Sequence, residues 1–154
     1  MEIKIQLAKK EHINDCLLSI KHSELWDVYF EGNPSAENDI KQMIAKNQIY
    51  ASLNKNGNCI GFMGVIKNGC FRKFSYLSLI AVKKRYRSKG IGKILVNKFE
   101  DIGFEKADKV FILVGDFNKK AQLFYKRLGY KKVGNIPDLF KNSVSEHVLI
   151  KYKN

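Results

Sequence analysis

The chain has 154 residues, of which 45% are hydrophobic and 12% are aromatic. This is enough for one domain with a core of its own, and it excludes an intrinsically disordered chain. The 28 lysines and arginines outnumber the 15 aspartates and glutamates and give a formal net charge of +13. Such a charge favours anionic partners such as nucleic acids, acidic membranes and phosphorylated cofactors. The lysines are scattered along the whole chain, so a solvated surface is the alternative explanation.

The cysteines and histidines support neither a disulfide framework nor a zinc site. No Cys-x-x-Cys pair or metal-ligand spacing occurs among Cys16, Cys59, Cys70, His12, His22 and His147. No apolar run approaches the ~20 residues that span a bilayer, and the N-terminus resembles a strand rather than a signal peptide. The sequence therefore predicts a cytoplasmic protein without a metal ion and without a membrane partner.

Hydrophobic periodicity predicts the elements of the N-terminal part of the chain. Alternating apolar and polar residues predict a strand over 2–7, and helical spacing predicts a helix near 10–22. The aromatic and acidic segment 23–34 fits a loop or a short helix. Ser35 is a suitable N-cap for a second helix, and 49–53 is predicted to be the next strand.

Turn residues divide the middle of the chain into strands. Residues 54–58, Asn-Lys-Asn-Gly-Asn, predict a turn that forms a hairpin with a strand over 59–66. A second turn is predicted at 67–69, Lys-Asn-Gly, and a strand over 73–82 follows it. Three consecutive strands are therefore expected in this part of the chain.

The rest of the chain alternates helices and strands. Helical spacing of apolar residues continues over 90–106, and a continuous apolar run over 110–114 predicts a strand covered on both faces. Asn118 can cap a helix that a glycine ends, and strands are predicted over 130–133 and 146–152. The predicted order is β-α-α-β-β-β-α-β-α-β-β, without an internal repeat.

A basic loop, residues 83–93, joins the strand over 73–82 to the helix near 90. Its centre reads Arg87-Ser88-Lys89-Gly90-Ile91-Gly92. The first amides of a helix lack intrahelical partners and carry a partial positive charge, so they bind anions. The glycines let a ligand approach the backbone, and the basic side chains add charge for a phosphate. The alternative is a strand-to-helix turn in which glycine serves only the geometry.

Two segments resemble the signature of the GNAT superfamily of N-acetyltransferases. Residues 87–92 are similar to the family's pattern of Arg or Gln, two residues, Gly, one residue, then Gly or Ala. Residues 118–130 are similar to a second family segment, which has Asn, Ala, Phe-Tyr and Gly-Tyr at matching positions. The order of the predicted elements agrees with the family as well, although residues 1–45 match it only in outline.

The resemblance implies an α/β fold of the α+β kind, with a mixed sheet. That sheet is central and mostly antiparallel, contains a splayed pair of parallel strands, and is flanked by helices in one domain over residues 1–154. The implied activity is that of an acetyl-CoA-dependent N-acetyltransferase, an acyltransferase. It moves an acetyl group to a primary amine of a small molecule, peptide or protein by direct attack on the thioester.

By the same resemblance, acetyl-CoA is the acetyl donor and contacts the strand end, the basic loop and the later helix. Backbone groups of the strand end would hydrogen-bond its peptide-like pantetheine arm, much as a peptide adds to a sheet. The start of the helix would hold its pyrophosphate. The cofactor-binding residues implied are Ile80, Ala81, Val82, Arg87, Ser88, Lys89, Gly90, Ile91, Gly92, Lys93, Asn118, Phe124 and Tyr125.

Tyr125 is the catalytic residue that the resemblance implies. Its hydroxyl would lie near the sulfur of coenzyme A and donate a proton to the departing thiolate. The alternative is that Phe124 and Tyr125 are packing aromatics of an amphipathic helix.

A base for the attacking amine is not evident in the sequence. Some relatives have a glutamate on the strand before the basic loop, whereas residues 75–79 contain no acid. Tyr76 or Ser78 could order a water molecule, Asp116 could help, or positioning alone could suffice. Asp116 can also be explained as an ordinary turn or capping residue.

By the same resemblance, the segment after the first helix is expected to line the acceptor groove. Here its acids and aromatics are Glu24, Trp26, Asp27, Tyr29, Phe30 and Glu31. They suit a cationic amine, but the aromatics could equally seal the core beneath a loop while the acids are solvated. The substrate contacts predicted are Glu24, Tyr29, Tyr76 and Asp116.

Two other classes of function are compatible with the sequence. A basic nucleic-acid-binding module would use the +13 charge and would gather its basic residues on one face. A sensor of the same fold would bind coenzyme A without catalysis. No nucleic-acid partner is expected, because the chain has no recognised nucleic-acid motif, and a homodimer is left open.

Overall fold

The computed structural model describes residues 1–154, which form seven strands and four α-helices. The strands are β1 (Lys4–Leu7), β2 (Ile49–Leu53), β3 (Cys59–Cys70), β4 (Phe74–Val82), β5 (Lys109–Gly115), β6 (Lys131–Pro137) and β7 (Ser145–Tyr152). The α-helices are α1 (Ile13–Ile20), α2 (Ala36–Ala45), α3 (Ile91–Phe104) and α4 (Lys119–Arg127). Short 3-10 turns cover Lys10–His12 and Lys84–Tyr86, and a π-helical turn covers Trp26–Phe30. None of the helices combines the length and the apolar character that crossing a bilayer requires.

The strands form one hydrogen-bonded sheet with the order β1-β2-β3-β4-β5-β7-β6. β2 is antiparallel to β1 and β3, β4 is parallel to β5, and β7 is antiparallel to β5 and β6. A mixed sheet with antiparallel strands, one parallel pair and flanking helices confirms the predicted fold class.

Contacts within the chain are concentrated in two compact units. The first comprises Met1–Val65 and Leu79–Phe99, and the second comprises Ile66–Ser78 and Glu100–Asn154. β3, β4 and α3 each contribute residues to both units. The expectation of one domain over residues 1–154 stays a prediction.

The core of the first unit is formed mainly by α1, α2 and the antiparallel strands β2 and β3. The apolar stripe of α1 contributes Cys16 and Ile20, and that of α2 contributes Ile40 and Ile44. Phe62 of β3 is fully enclosed in the same cluster. Burying a large apolar side chain contributes about 1.5–3 kcal/mol. The helices follow the apolar periodicity because those stripes have to be buried.

The turn between β2 and β3 agrees with the prediction at 54–58. The Asn54 side-chain oxygen accepts hydrogen bonds from the backbone N–H groups of Asn56 and Asn58, both at 3.0 Å. Gly57 has a φ of 80°, a left-handed conformation that favours glycine. Local side-chain chemistry therefore fixes this hairpin.

β3 closely approaches the end of β4 at Gly61. A β-carbon at this position would lie 2.8 Å from the carbonyl oxygen of Ala81 and 3.2 Å from the Cα of Val82. The Lys83 N–H also donates to the carbonyl oxygen of Ile60 at 2.8 Å. The glycine therefore lets the last residues of β4 lie directly against β3.

The second unit is built on the antiparallel ladder of β5, β7 and β6. β7 pairs with β5 along all seven residues of β5. Val110, Ile112 and Leu149 are buried, as the apolar run over 110–114 predicts. A β-carbon on Gly103 of α3 would lie 2.3 Å from Val110 Cγ1. The end of α3 therefore packs tightly on the face of β5 that carries Val110.

The turn predicted at 67–69 is wrong. β3 continues through these residues to Cys70, and the chain reverses at Phe71 and Arg72 instead. These two residues have left-handed φ angles of 56° and 59°, and the Lys73 N–H donates to the Cys70 carbonyl oxygen at 3.2 Å. The result is a two-residue hairpin turn at positions where Asn and Gly are the usual residues.

Gly69 is the reason for this error. A β-carbon on Gly69 would lie 2.9 Å from the β-carbon of Tyr76 and 3.1 Å from the side chain of Ile66. The glycine therefore permits close side-chain packing within a continuing strand. In the sequence, a glycine that is needed for packing looks the same as a glycine that is needed for a turn.

β6 forms one edge of the sheet and is largely exposed. It begins with Lys131 and Lys132 and ends with Pro137. Its register against β7 shifts between Lys132 and Gly134. The strand is longer than the predicted range 130–133, because its pairing with β7 continues to Pro137.

Candidate active site

The basic loop makes a tight connection within the first unit. β4 ends at Val82, a 3-10 turn covers Lys84–Tyr86, and α3 begins at Ile91. Ser88 and Gly90 have left-handed φ angles of 60° and 84°. A β-carbon on Gly90 would have no atom within 4 Å. The residue before α3 therefore borders open space, and this arrangement fits an anion at a helix N-terminus.

The Arg87 guanidinium is held by backbone carbonyl groups of the first unit. Its Nε donates to the carbonyl oxygen of Val82 at 2.8 Å, and its Nη1 donates to that of His22 at 2.9 Å. Its Nη2 donates to the carbonyl oxygens of Ser19 and Lys21 at 3.3 and 3.2 Å. These contacts tie the basic loop to the C-terminal end of α1, where a cation is favourable. A contact of Arg87 with the cofactor stays a prediction.

The lysines of the basic loop differ in what they contact. Lys83 forms an ion pair with Asp15, in which its Nζ lies 2.5 Å from Oδ1. Lys89 and Lys93 are exposed, and the Nζ of Lys89 lies 5.7 Å from the ring centroid of Tyr86. Lys89 and Lys93, together with the exposed Lys84, are therefore the lysines that an incoming anion could reach directly.

The end of β4, which the sequence assigns to the pantetheine arm, lies beyond the part of β4 that pairs with β5. The parallel register consists of two pairs, Tyr76 with Phe111 and Leu77 with Ile112. β4 then continues to Val82, and its residues Leu79–Val82 are half-buried. The expected splay of β4 from β5, and contacts of Ile80, Ala81 and Val82 with a cofactor, stay predictions.

Asn118 is the N-cap of α4 in the second unit. Its Oδ1 accepts a hydrogen bond from the Ala121 N–H at 3.2 Å. The Gln122 side chain adds hydrogen bonds from its Nε2 to the carbonyl oxygens of Gly115 and Asp116, at 3.0 and 3.1 Å. The predicted cap is confirmed, and these bonds hold the start of α4 against the end of β5.

Tyr125 is buried on α4, with 4% of its surface exposed. Its ring centroid lies 5.2 Å from that of Phe124 and 5.9 Å from that of Tyr130. Burial, together with the nearby Tyr76, raises the pKa of the Tyr125 phenol above its ordinary value. An ordinary phenol, with a pKa of about 10, already keeps its proton at neutral pH, as a general acid must, and burial does not change this.

Tyr76 interacts electrostatically with Tyr125. Burial raises the pKa of the Tyr76 phenol, and Cys70 and Glu146 raise it further. Glu146 is 3% exposed and lies near the start of β7. Tyr76, Tyr125 and Glu146 are called the tyrosine cluster below.

Sequence reasoning predicted two members of the tyrosine cluster and missed Glu146. The only signal was an acid at the first position of the predicted strand 146–152. A charged residue there is usually solvated, and only the folded structure shows that this one is buried.

Asp116 has a structural role at the end of β5. Its N–H donates to the carbonyl oxygen of Ser145 at 2.8 Å, and its Oδ2 accepts from the Ser145 N–H at 3.3 Å. These contacts support its interpretation as a turn residue, and contact with a substrate stays a prediction. No group of three or more His, Cys, Asp or Glu side chains is placed to hold a metal ion.

The aromatic segment after α1 packs on the core of the first unit. Trp26 and Phe30 stack with their ring centroids 6.1 Å apart and pack against the buried cluster. Glu24 and Asp27 are exposed, and Tyr29 is half-buried. Aromatic rings therefore cover the core while acids face solvent, and substrate contacts of Glu24 and Tyr29 stay predictions.

Comparison with known families decides the classification. The profile of the "Acetyltransferase (GNAT) family" matches residues 19–130. The chain belongs to this family. The matched range contains both GNAT motifs, the basic loop and the whole of α4.

Individual curated relatives and solved structures are also similar to this chain. YqkA of Bacillus subtilis is 27% identical over 117 residues, which are 76% of this chain and 32% of that protein. The N-alpha-acetyltransferase RimI of Mycobacterium tuberculosis is 26% identical over 102 residues, 66% of this chain and 62% of that protein. The chain thus spans less than two thirds of the length of these relatives. Ard1 from Thermoplasma volcanium, 19% identical, superposes with a TM-score of 0.79 over 100% of this chain and 99% of that one, which shows the shared fold.

Proposed function

We propose that this GNAT protein is an acetyl-CoA-dependent N-acetyltransferase that acts on a primary amine. The observation that carries the proposal is Tyr125, a buried phenol in the second GNAT motif whose environment keeps it protonated. A phenol of this kind can supply the proton that a thiolate leaving group requires. A cytoplasmic location is part of the same proposal.

The basic loop is proposed to hold the phosphates of acetyl-CoA. The open space at Gly90 and the start of α3 fit a bound pyrophosphate, and Lys89 and Lys93 add charge. The backbone of Ile80–Val82, with Asn118 and Phe124, is proposed to contact the rest of the cofactor. Bound acetyl-CoA supplies the activated acetyl group as a thioester.

Tyr125 is proposed to hold a proton on its phenolic oxygen and release it to the sulfur of the product thiol. The proton is present throughout the neutral range, because a phenol has a pKa of about 10 and burial raises the pKa of Tyr125 further. Backbone N–H groups at the end of β4 are proposed to stabilise negative charge on the carbonyl oxygen, which is commonly a large catalytic contribution.

The acceptor class proposed is a cationic amine, and a peptide N-terminus is the first candidate. RimI of Mycobacterium tuberculosis, one of the relatives above, is named an N-alpha-acetyltransferase. In this chain the exposed acids Glu24 and Asp27 lie beside the aromatic segment after α1, a combination that suits an ammonium group. Polyamines and aminoglycosides carry the same charge and serve as competing candidates.

A screen that follows thiol release from acetyl-CoA tests this proposal. The purified protein is incubated with peptides, polyamines and aminoglycosides, and Tyr125→Phe serves as the matched control. Thiol release with at least one amine, strongly reduced in Tyr125→Phe, is expected. Binding of acetyl-CoA by calorimetry without turnover would instead identify a sensor, and the absence of both would overturn the proposal.

A further inference from the structure

β4 contains no acid that could act as the base for the attacking amine. β7, however, carries the buried carboxyl group of Glu146. We propose that Glu146 is the terminal proton acceptor for the attacking amine, with the Tyr76 hydroxyl as the group through which the proton passes. This inference rests on the proposed N-acetyltransferase function. All the residues that it uses belong to the second unit.

Strand register places Glu146 and Tyr76 on one face of the sheet. Glu146 pairs with Gly115 of β5, and Tyr76 of β4 pairs with Phe111 of β5. Side chains of paired residues point to the same face, and residues two positions apart along a strand share a face. Phe111 and Gly115 are four positions apart, so both pairs lie on the same side of the sheet.

The opposite face of β5 is occupied by α3. Val110 lies on that face, next to Gly103 of α3, and a β-carbon on Gly103 would also lie 3.2 Å from the Ser75 β-carbon. Because neighbours along a strand alternate, Tyr76 must face away from α3. The register and the packing therefore agree on the side to which Tyr76 and Glu146 point.

The electrostatics of the tyrosine cluster agree with this geometry. Glu146 is among the groups that raise the pKa of Tyr76, and Tyr76 in turn raises that of Tyr125. Acids are seldom as deeply buried as Glu146, which is 3% exposed. A chain of interacting ionisable groups inside a fold is typical of a functional site.

Ser78 provides an independent indication that this face receives a polar ligand or water. Its Oγ is buried without a hydrogen-bond partner, and it lies two residues after Tyr76 on the same face of β4. Buried hydroxyl groups normally have a partner. A water molecule or a substrate nitrogen on this face would satisfy the Ser78 hydroxyl.

The proposed deprotonation of the amine conserves protons. A primary amine is protonated at neutral pH and has no free electron pair with which to attack a carbonyl carbon. The ammonium nitrogen gives one proton to the Tyr76 hydroxyl oxygen, while the Tyr76 hydroxyl proton moves to a carboxylate oxygen of Glu146. The products are a neutral amine, a neutral Tyr76 and a protonated Glu146, which later releases its proton to solvent.

The ionisable groups around Glu146 come from several elements. Tyr76 of β4 interacts electrostatically with Glu146, and Tyr76 also interacts with Cys70 of β3 and with Tyr125 of α4. Asp116 directly follows β5, the strand that pairs with β7. The β6 residue that pairs with Glu146 is the uncharged Ile136. Glu146 is therefore the carboxyl group within the tyrosine cluster, and Asp116 is the other acid to control for.

The kinetic test uses Glu146→Gln, with Glu105→Gln, an exposed acid, as the matched control. At pH 7 the Glu146→Gln variant should lose roughly 100-fold in kcat/KM, the size of a general-base contribution. The loss should shrink as pH rises, because the amine then loses its proton to solvent, and acetyl-CoA affinity should stay within about twofold. Asp116→Asn should not reproduce the pH-dependent recovery.

A second measurement does not depend on turnover. The Glu146 carboxyl carbon is followed by NMR in protein labelled with ¹³C-glutamate, as pH is varied, in the wild type and in Tyr76→Phe. In the proposed relay the Tyr76 hydroxyl donates to the Glu146 carboxylate, so removing this hydroxyl should raise the titration midpoint of the carboxyl.

Each outcome separates the inference from the proposed function. A pH-independent loss in Glu146→Gln, no loss at all, or an unchanged NMR titration in Tyr76→Phe would overturn the inference while the acetyltransferase itself stands. If Glu146→Gln fails to fold, Glu146→Asp keeps the carboxylate, and it should show reduced kcat/KM with the wild-type pH profile. Absence of turnover in the wild-type protein overturns the proposed function and this inference together.

Discussion

The basic loop and the tyrosine cluster are assembled in different ways. The basic loop is continuous in sequence, and its geometry depends on the left-handed conformations of Ser88 and Gly90. The tyrosine cluster comes from β4, α4 and β7, and its geometry depends on strand register. We therefore expect the loop to determine cofactor affinity and the cluster to determine the rate of the chemical step.

The largest expected effect of a single substitution is that of Tyr125→Phe on turnover. Loss of the phenolic proton should lower kcat by about 100-fold, whereas acetyl-CoA affinity should change by less than about twofold. Steady-state kinetics with a verified acceptor and calorimetry with acetyl-CoA measure the two quantities.

Tyr130→Phe is the matched control, because Tyr130 is a neighbouring tyrosine that is equally buried. Its turnover should be close to that of the wild type. If Tyr125→Phe lowered acetyl-CoA affinity as much as it lowered kcat, the proposed division would be wrong, in which the basic loop determines binding and the tyrosine cluster determines chemistry.

The basic loop should show the opposite pattern. Gly92→Val puts a branched side chain at the start of α3 and should weaken acetyl-CoA binding at least tenfold, or about 1.4 kcal/mol, with kcat at saturation largely kept. Gly92→Ala, which the family pattern allows, should have a much smaller effect. Unchanged calorimetric affinity in a folded Gly92→Val protein would remove the loop from the binding site.

Arg87→Lys tests whether the guanidinium acts on stability or on the cofactor. Lysine cannot reproduce hydrogen bonds to four carbonyl oxygens, so the free energy of unfolding should fall by about 1 kcal/mol. Denaturant titration measures this change, and Arg85→Lys is the control. Unchanged stability with a strong loss of acetyl-CoA affinity would show that Arg87 contacts phosphate instead.

Counted per residue, the smallest expected effect is the dependence of stability on alkaline pH. The folded protein raises the pKa of Tyr76, Tyr125 and Tyr130 above the unfolded value of about 10. The stability associated with these phenols is therefore fully present below that pH, and it is lost as pH rises from there towards the folded values.

Thermal unfolding between pH 9 and pH 11 measures this loss. It should amount to less than about 1 kcal/mol per phenol over the first pH unit above 10. The decline should be shallower in Tyr130→Phe than in the wild type, and an equal slope would assign the loss to other groups.

The parts of this protein that sequence predicts well are those with local causes. The Asn54 turn, the Asn118 cap and the apolar stripes of α1 and α2 each depend on residues a few positions apart, and all of them are as expected. The turn at 67–69 was mispredicted, because Gly69 is needed for close packing against Tyr76. No residue near Gly69 in the sequence indicates this contact. Glu146 was missed for a similar reason, since its neighbours in space are distant in sequence.

The family motif also did not predict which groups the Arg87 side chain contacts. The sequence associates Arg87 with phosphate, whereas the structure shows its guanidinium on carbonyl groups near the end of α1. The family pattern fixes the residue type at this position. Three of the four carbonyl groups that receive its hydrogen bonds come from a segment more than sixty residues earlier.

The exposed edge strand β6 bears on how the protein behaves at high concentration. An unpaired strand edge is a template on which another chain can add and aggregate. Here two lysines open the strand, Pro137 closes it, and the register shift between Lys132 and Gly134 interrupts its regularity. Such features oppose intermolecular strand pairing, so solubility should depend on keeping Lys131 and Lys132 charged.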